Sequence, residues 1–139
     1  MVGANNNKNS KIHILHHVLI CDENGISDAF RIIKKHLAGS NPVFLTLIYA
    51  LSKDNNNPLF KRELSILEKR FSCNLITYLI QIEPGDVEYL QEFIEAIINS
   101  NTNFKIQFAI YGNDHFISNV CEVIGYLHAE NYTIETWKN

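Results

Sequence analysis

Short runs rich in apolar residues alternate with amphipathic segments along nearly the whole chain. The run at 16–21 ends in polar turn residues and is typical of a strand buried on both faces; further strands are predicted at 43–50, 73–80 and 104–111, with a final short one at 132–137. Between them, apolar residues recur at helical spacing over 26–37, 58–70, 87–98 and 114–127. The pattern therefore predicts five strands and four helices in strict alternation.

Such an alternation with short links leads to parallel strands joined by right-handed crossovers. We therefore predict an α/β fold of three layers: a doubly wound, five-stranded parallel sheet in the order 3-2-1-4-5, with helices on both faces. In such sheets, ligands bind at the carboxyl ends of the strands, where the winding direction reverses. The candidate site is therefore predicted in the loops after the first and fourth strands, 22–27 and 111–114.

Composition narrows the class of protein. The 139 residues fit one domain, predicted over 11–139 after a polar, Asn-rich and disordered tail at 1–10. A net charge of −3 argues against nucleic acid or an anionic membrane as partner. There is no apolar run of membrane-spanning length and no signal peptide at the start, so we expect a cytoplasmic protein.

Cysteine and histidine give only weak signals of chemistry. Cys21 ends the first strand beside the candidate turn, where it is either a reactive thiol or a small core residue, whereas Cys73 and Cys121 are predicted in the core. His16 and His17 are neighbours on a strand and point to opposite faces, so they are poorly placed to share a metal ion. We predict no metal site.

The turn after the first strand, Asp22-Glu23-Asn24-Gly25-Ile26-Ser27, holds the most informative residues. Its single glycine is not a Gly-x-Gly-x-x-Gly fingerprint. A helix N-terminus nevertheless offers free N–H groups and partial positive charge to a phosphate, although Asp22 and Glu23 oppose an anion. The purely structural alternative is that Gly25 permits a tight turn and the acids cap the helix.

This turn resembles the one after the first strand of the NAD(P)-binding domain in the ferredoxin–NADP reductase superfamily, usually Gly-Gly-Thr-Gly-Ile-Thr-Pro. Gly25 and Ile26 match, and Asn24 and Ser27 fall at the two threonines. In place of the leading glycines stands the pair Asp22-Glu23, which matches Gly-Asp-Glu-Thr-Ala-Leu-Pro of the siderophore-interacting branch.

Weaker similarities continue downstream, so that the resemblance covers about 14–139. The segment Leu59-Phe60-Lys61-Arg62-Glu63-Leu64 is similar to a helix start of these reductases. Ala109-Ile110-Tyr111-Gly112-Asn113 stands where they have a strand ending in Cys-Gly-Pro, and Ile134-Glu135-Thr136-Trp137 resembles their last strand.

The resemblance implies a nicotinamide nucleotide, NAD(H) or NADP(H), across the carboxyl ends of the strands. Its pyrophosphate would lie near Gly25, Ile26 and Ser27, and its nicotinamide near Gly112 and Trp137, against FAD held by a separate β-barrel domain or subunit. The chain is then expected to be the nucleotide-binding part of a flavin-dependent oxidoreductase of the ferredoxin-reductase or siderophore-interacting type. No flavin barrel is recognisable in this sequence, so we expect a fragment, a split subunit or a retired domain.

Two departures bear on activity. Tyr111 and Asn113 replace the Cys and Pro of Cys-Gly-Pro, and no catalytic residue is predicted. Lys53 is the one basic residue just after the second strand, and no Ser-Arg pair follows the third. Because Arg is the best partner for a 2′-phosphate, the sequence favours NAD(H) over NADP(H), or no nucleotide at all. The alternative function is a degenerate, non-catalytic binding or assembly module with the same fold.

Overall fold

The computed structural model describes residues 14–41, 43–83, 86–100, 104–127 and 132–138, so that the predicted tail lies outside the described residues. Its strands are β1 (Ile14–Cys21), β2 (Phe44–Leu51), β3 (Leu75–Gln81), β4 (Phe104–Gly112) and β5 (Tyr132–Lys138). Its helices are α1 (Ile26–Leu37), α2 (Lys61–Arg70), α3 (Val87–Ser100) and α4 (Asp114–Tyr126).

All strand pairs are parallel, and the sheet order is β3-β2-β1-β4-β5, which confirms the predicted topology. β1 is the central strand, and its last residue, Cys21, is in register with Tyr49 of β2 and Tyr111 of β4. The chain leaves β1 toward β2 and returns later on the other side as β4. The carboxyl ends of β1 and β4 therefore form the switch point of the sheet.

The central strands are mostly apolar because both faces of the sheet are covered. On one face, Val18 and Ile20 pack with the buried residues of α3 and α4. On the other face, Leu19 and Cys21 pack with α1 and with Leu64 of α2. Acidic Asp28 in the first turn of α1 and basic side chains in its last turn complement the helix dipole.

Two predictions near α2 are wrong. The helix begins at Lys61 rather than at Pro58, because Phe60 takes a left-handed backbone conformation with φ of 66°. That turn lets the Phe60 ring stack on Phe30 at 4.3 Å between ring centroids, while Leu59 is left exposed. Cys73, predicted in the core, is exposed in the turn between α2 and β3.

Candidate functional site

A crevice of about 300 Å³ opens at the carboxyl ends of β1, β2 and β3, beside the start of α4. Because α1 begins at the same edge of the sheet, the turn from β1 to α1 forms one wall. The residues that line the crevice are Asp22, Glu23, Asn24, Ala50, Leu51, Ser52, Ile82, Glu83, Asn113, His115, Phe116 and Asn119. Four of the predicted site residues are among them.

Asp22 occupies the centre of the switch point. Its Oδ1 accepts the backbone N–H of Asn24 and of Gly25, each at 2.9 Å, and its Oδ2 accepts the N–H of Asn113 at 3.4 Å. The Asp22 N–H in turn donates to the Tyr111 carbonyl at 3.3 Å. One carboxylate thus binds the amides of both turns, and it takes the Gly25 N–H, which is one of the groups that the resemblance places near a pyrophosphate.

Gly25 and Gly112 are glycines because the two turns approach so closely. A Cβ on Gly25 would lie 2.3 Å from the backbone carbon and oxygen of Tyr111. A Cβ on Gly112 would lie 2.6 Å from the Asp22 carboxylate, at a residue with φ of +156°. A glycine at position 25 is therefore required by the close approach of the β1 turn to the end of β4.

The helix starts on either side of the switch point are capped differently. Asn113 precedes α4, and its Oδ1 accepts the Phe116 N–H at 2.9 Å. Gly25 precedes α1 and supplies no side-chain cap. Ile26 is buried in the core and Ser27 is exposed on the first turn of α1.

Glu23 connects the β1 turn to the loop after β2. Its Oε2 accepts a hydrogen bond from the Ser52 hydroxyl at 3.3 Å and another from the Asn55 side-chain amide. The Gln81 amide donates to the carbonyls of Lys53 and Asn55 and so ties this loop to the end of β3. The rim of the crevice is therefore a chain of exposed polar contacts.

The crevice is acidic. Asp22, Glu23 and Glu83 line it, and the nearby Lys53 ammonium forms an exposed ion pair with Glu83 at 2.9 Å. The hydrogen bond and the charge of Glu83 raise the pKa of Lys53. The Glu83 carboxylate beside Lys53 therefore opposes a phosphate at this position.

Tyr111, a predicted site residue on β4, lies with its side chain apart from the crevice. Tyr111 is buried against α1, on the opposite face from α4, and burial followed by the charge of Glu135 raises the pKa of its hydroxyl. Trp137 is in register with Tyr111 on β5, and its side chain lies outside the described residues. The structure therefore brings together the acidic turn and Asn113, without the Tyr111 side chain.

Several crevice residues were not predicted: Ser52 and Glu83 at strand ends, and Phe116 and Asn119 on α4. Phe116 and Asn119 are three residues apart, so they share a helix face with Asn113. Their helical spacing from Asn113, in the predicted site loop 111–114, was the signal that the sequence contained. His115 is exposed at the same edge.

The remaining chemistry-bearing residues behave as structural groups. Cys21 is fully buried, and burial followed by the charge of Asp22 raises the pKa of its thiol, as expected for a core residue. His16 bonds to Thr46 at 2.8 Å, whereas His17 lies against His36 on the other face, with its pKa lowered to about 4 by desolvation and then by His36. Among the described residues, no three potential ligands are grouped to hold a metal ion.

The described helices include none with both the length and the apolar character needed to cross a bilayer. Comparison with protein-family models and with curated proteins yields no match.

The fold is similar to solved structures of Plasmodium falciparum ferredoxin-NADP+ reductase. A point mutant of that enzyme superposes with a TM-score of 0.64 at 19% identity, over 96% of this chain and 55% of the reductase chain. The unmutated enzyme gives 0.62 at 14% identity, and its form with 2'P-AMP gives 0.56 at 13%, with the same coverage. The likeness defines the class of fold, a ferredoxin-reductase-like α/β domain, and the chain spans about half the length of these reductases.

Proposed function

We propose that this chain is the nicotinamide-nucleotide-binding part of a flavin-dependent reductase, with FAD held by a separate domain or subunit. The observation that supports the proposal best is the crevice at the carboxyl ends of β1, β2 and β3, at the switch point of a ferredoxin-reductase-like sheet. A solved reductase with this fold contains 2'P-AMP. The bound nicotinamide would supply hydride, and the chain would position and shield it.

The polar groups of the crevice fit the sugar hydroxyls of a nucleotide better than its phosphates. Carboxylates such as Glu23 accept hydrogen bonds from a ribose diol but repel a 2′-phosphate. The ion pair between Lys53 and Glu83 also disfavours a 2′-phosphate relative to a ribose diol. We therefore propose NAD(H) rather than NADP(H) as the ligand, held by the β1 turn and the rim loops.

The test is titration of the chain with NADH and NADPH by calorimetry, together with thermal unfolding. Ligand at 100 times its Kd stabilises a protein by about 2.7 kcal/mol, so saturating NADH should raise Tm measurably. Replacement of Glu83 by Ser should release Lys53 and raise the affinity for NADPH but not for NADH. The control Glu88→Ser, at an exposed position of α3, should leave the affinity for both nucleotides unchanged. Absence of heat and of a Tm shift at millimolar NADH would contradict the proposal.

A second candidate is the degenerate, non-catalytic module, and the geometry of Asp22 favours it. The carboxylate already satisfies the N–H groups of Asn24 and Gly25, where an anion would bind. Asp22→Gly and Glu23→Gly separate the two functions. A gain in nucleotide affinity of about tenfold, equal to 1.4 kcal/mol, would support a degenerate site that the acids block. A loss of affinity would show that the acids belong to a working site.

A further inference from the structure

A second cavity lies on the sheet face that α3 and α4 cover. It measures about 320 Å³ and lies between α3 and β3, the edge strand. Its lining is mostly apolar and shares no residue with the crevice: His16, Thr46, Ile76, Tyr78, Phe93, Ala96, Ile97 and Ser100. We call it the β3 groove.

The floor of the β3 groove is unusually apolar for an edge strand. Ile76 is 47% exposed and Tyr78 is 39% exposed, on the same face of β3, and β3 contains no charged residue. On the wall, Tyr89 is 43% exposed and its ring meets Phe93 edge-on at 6.5 Å, while Phe93 meets Tyr78 at 5.0 Å. A contiguous apolar and aromatic surface of this kind marks an interaction site.

The upper rim of the groove is acidic. Along α3, Tyr89, Phe93 and Ala96 recur at helical spacing on the groove side, and each is preceded by an exposed glutamate: Glu88, Glu92 and Glu95. One residue corresponds to 100° around a helix, so the three carboxylates form a stripe along the solvent side of α3, next to its groove side. The sequence places no Lys or Arg in α3 or α4 to offset them.

The outer edge of β3 is partly closed to strand addition. Glu68 of α2 reaches over it, its carboxylate accepting the backbone N–H of Thr77 at 2.9 Å and the Thr77 hydroxyl at 3.1 Å. A carboxylate on an edge amide is a known way to block pairing with another strand. A partner is therefore expected on the face of the sheet rather than at its edge.

We propose that the β3 groove binds a basic amphipathic helix of a partner polypeptide. Its apolar residues, at i, i+3 and i+4, would lie on Ile76, Tyr78 and Phe93, and its Lys or Arg residues would face the acidic stripe of α3. Charge complementarity selects this occupant, because a second copy of the chain would place another acidic α3 against the first.

The test uses two fluorescently labelled 14-residue helical peptides with the same Leu pattern. One has Lys at all other positions and the other has Glu, and the binding of each is measured by fluorescence anisotropy. The Lys peptide should bind at least about tenfold more tightly than the Glu peptide, and its affinity should fall as salt increases. Equal binding of the two peptides, or tighter binding of an extended Lys-Val repeat, would overturn the proposal.

Matched variants locate the binding surface. Tyr78→Ala and the double variant Glu92→Gln, Glu95→Gln should each weaken the Lys peptide about tenfold. Tyr126→Ala and Glu122→Gln, at exposed positions of α4, should leave its affinity within about twofold. Circular dichroism verifies that each variant is folded. Equal losses of peptide affinity in the α4 controls would overturn the proposed occupant. So would the finding that the chain forms a dimer that dissociates when Tyr78 is replaced by Ala.

Discussion

Two adjacent carboxylates, Asp22 and Glu23, line the same crevice but belong to different kinds of structure. Asp22 is half-buried and its bonds go to backbone amides of both turns at the switch point. Glu23 is exposed, and its bonds go to the side chains of Ser52 and Asn55 on a loop. In the acidic turn, Asp22 therefore holds the backbone of the two turns together, whereas Glu23 contacts only loop side chains. Net charge alone does not distinguish these two roles.

The largest expected effect is at Gly25, on the Asp22 side of the crevice. A methyl group there would overlap the Tyr111 backbone, and two paired strands cannot separate without loss of their hydrogen bonds. We expect Gly25→Ala to lower the free energy of unfolding by about 3 kcal/mol, measured by urea denaturation.

Gly125 on α4 is the matched control. A Cβ there meets no atom within 4 Å, so Gly125→Ala should stabilise the helix by about 0.5 kcal/mol. A small loss at Gly25, comparable with an ordinary surface substitution, would mean that the two turns are not held as close as the structure has them.

The next effect separates the turn residue Asp22 from the helix cap Asn113. Asp22→Ala removes the acceptor of three backbone amides and should cost about 2 kcal/mol of unfolding free energy. Asn113→Ala removes one cap contact, to Phe116, and should cost about 1 kcal/mol. Urea denaturation of both variants is the measurement. A smaller cost for Asp22 than for Asn113 would show that its carboxylate is not architectural, and the contrast with Glu23 would fail.

The fold was predictable because its signals are local. Apolar runs specified the strands, helical periodicity specified the helices, and short links specified parallel neighbours, although 3-2-1-4-5 is one of two common doubly wound orders. The start of α2 was missed because the left-handed turn at Phe60 depends on stacking with Phe30, a contact between distant parts of the sequence. The exposure of Cys73 is likewise set by where the turn before β3 falls.

The candidate site was predictable only to its location. The switch-point rule placed the site at Asp22 and Asn113, and both line the crevice. The bond from Asp22 Oδ2 to the Asn113 amide joins residues 91 apart in sequence, and neither motif nor spacing encodes it. The ion pair between Lys53 and Glu83 forms because β2 and β3 end side by side. Composition therefore could not show that the positive charge of Lys53 lies next to a carboxylate.

The smallest expected effect is at Glu23. Its partners Ser52 and Asn55 are polar groups that water can satisfy, so Glu23→Ala should change the unfolding free energy by less than about 0.5 kcal/mol. Ser52→Ala is the control, since it removes one of the same contacts and should also fall within that range. A loss above about 1 kcal/mol at Glu23, matching Asp22, would show that both acids are architectural. A near-neutral result would leave Glu23 free to serve a ligand, because its removal alters the rim of the crevice without loosening the sheet.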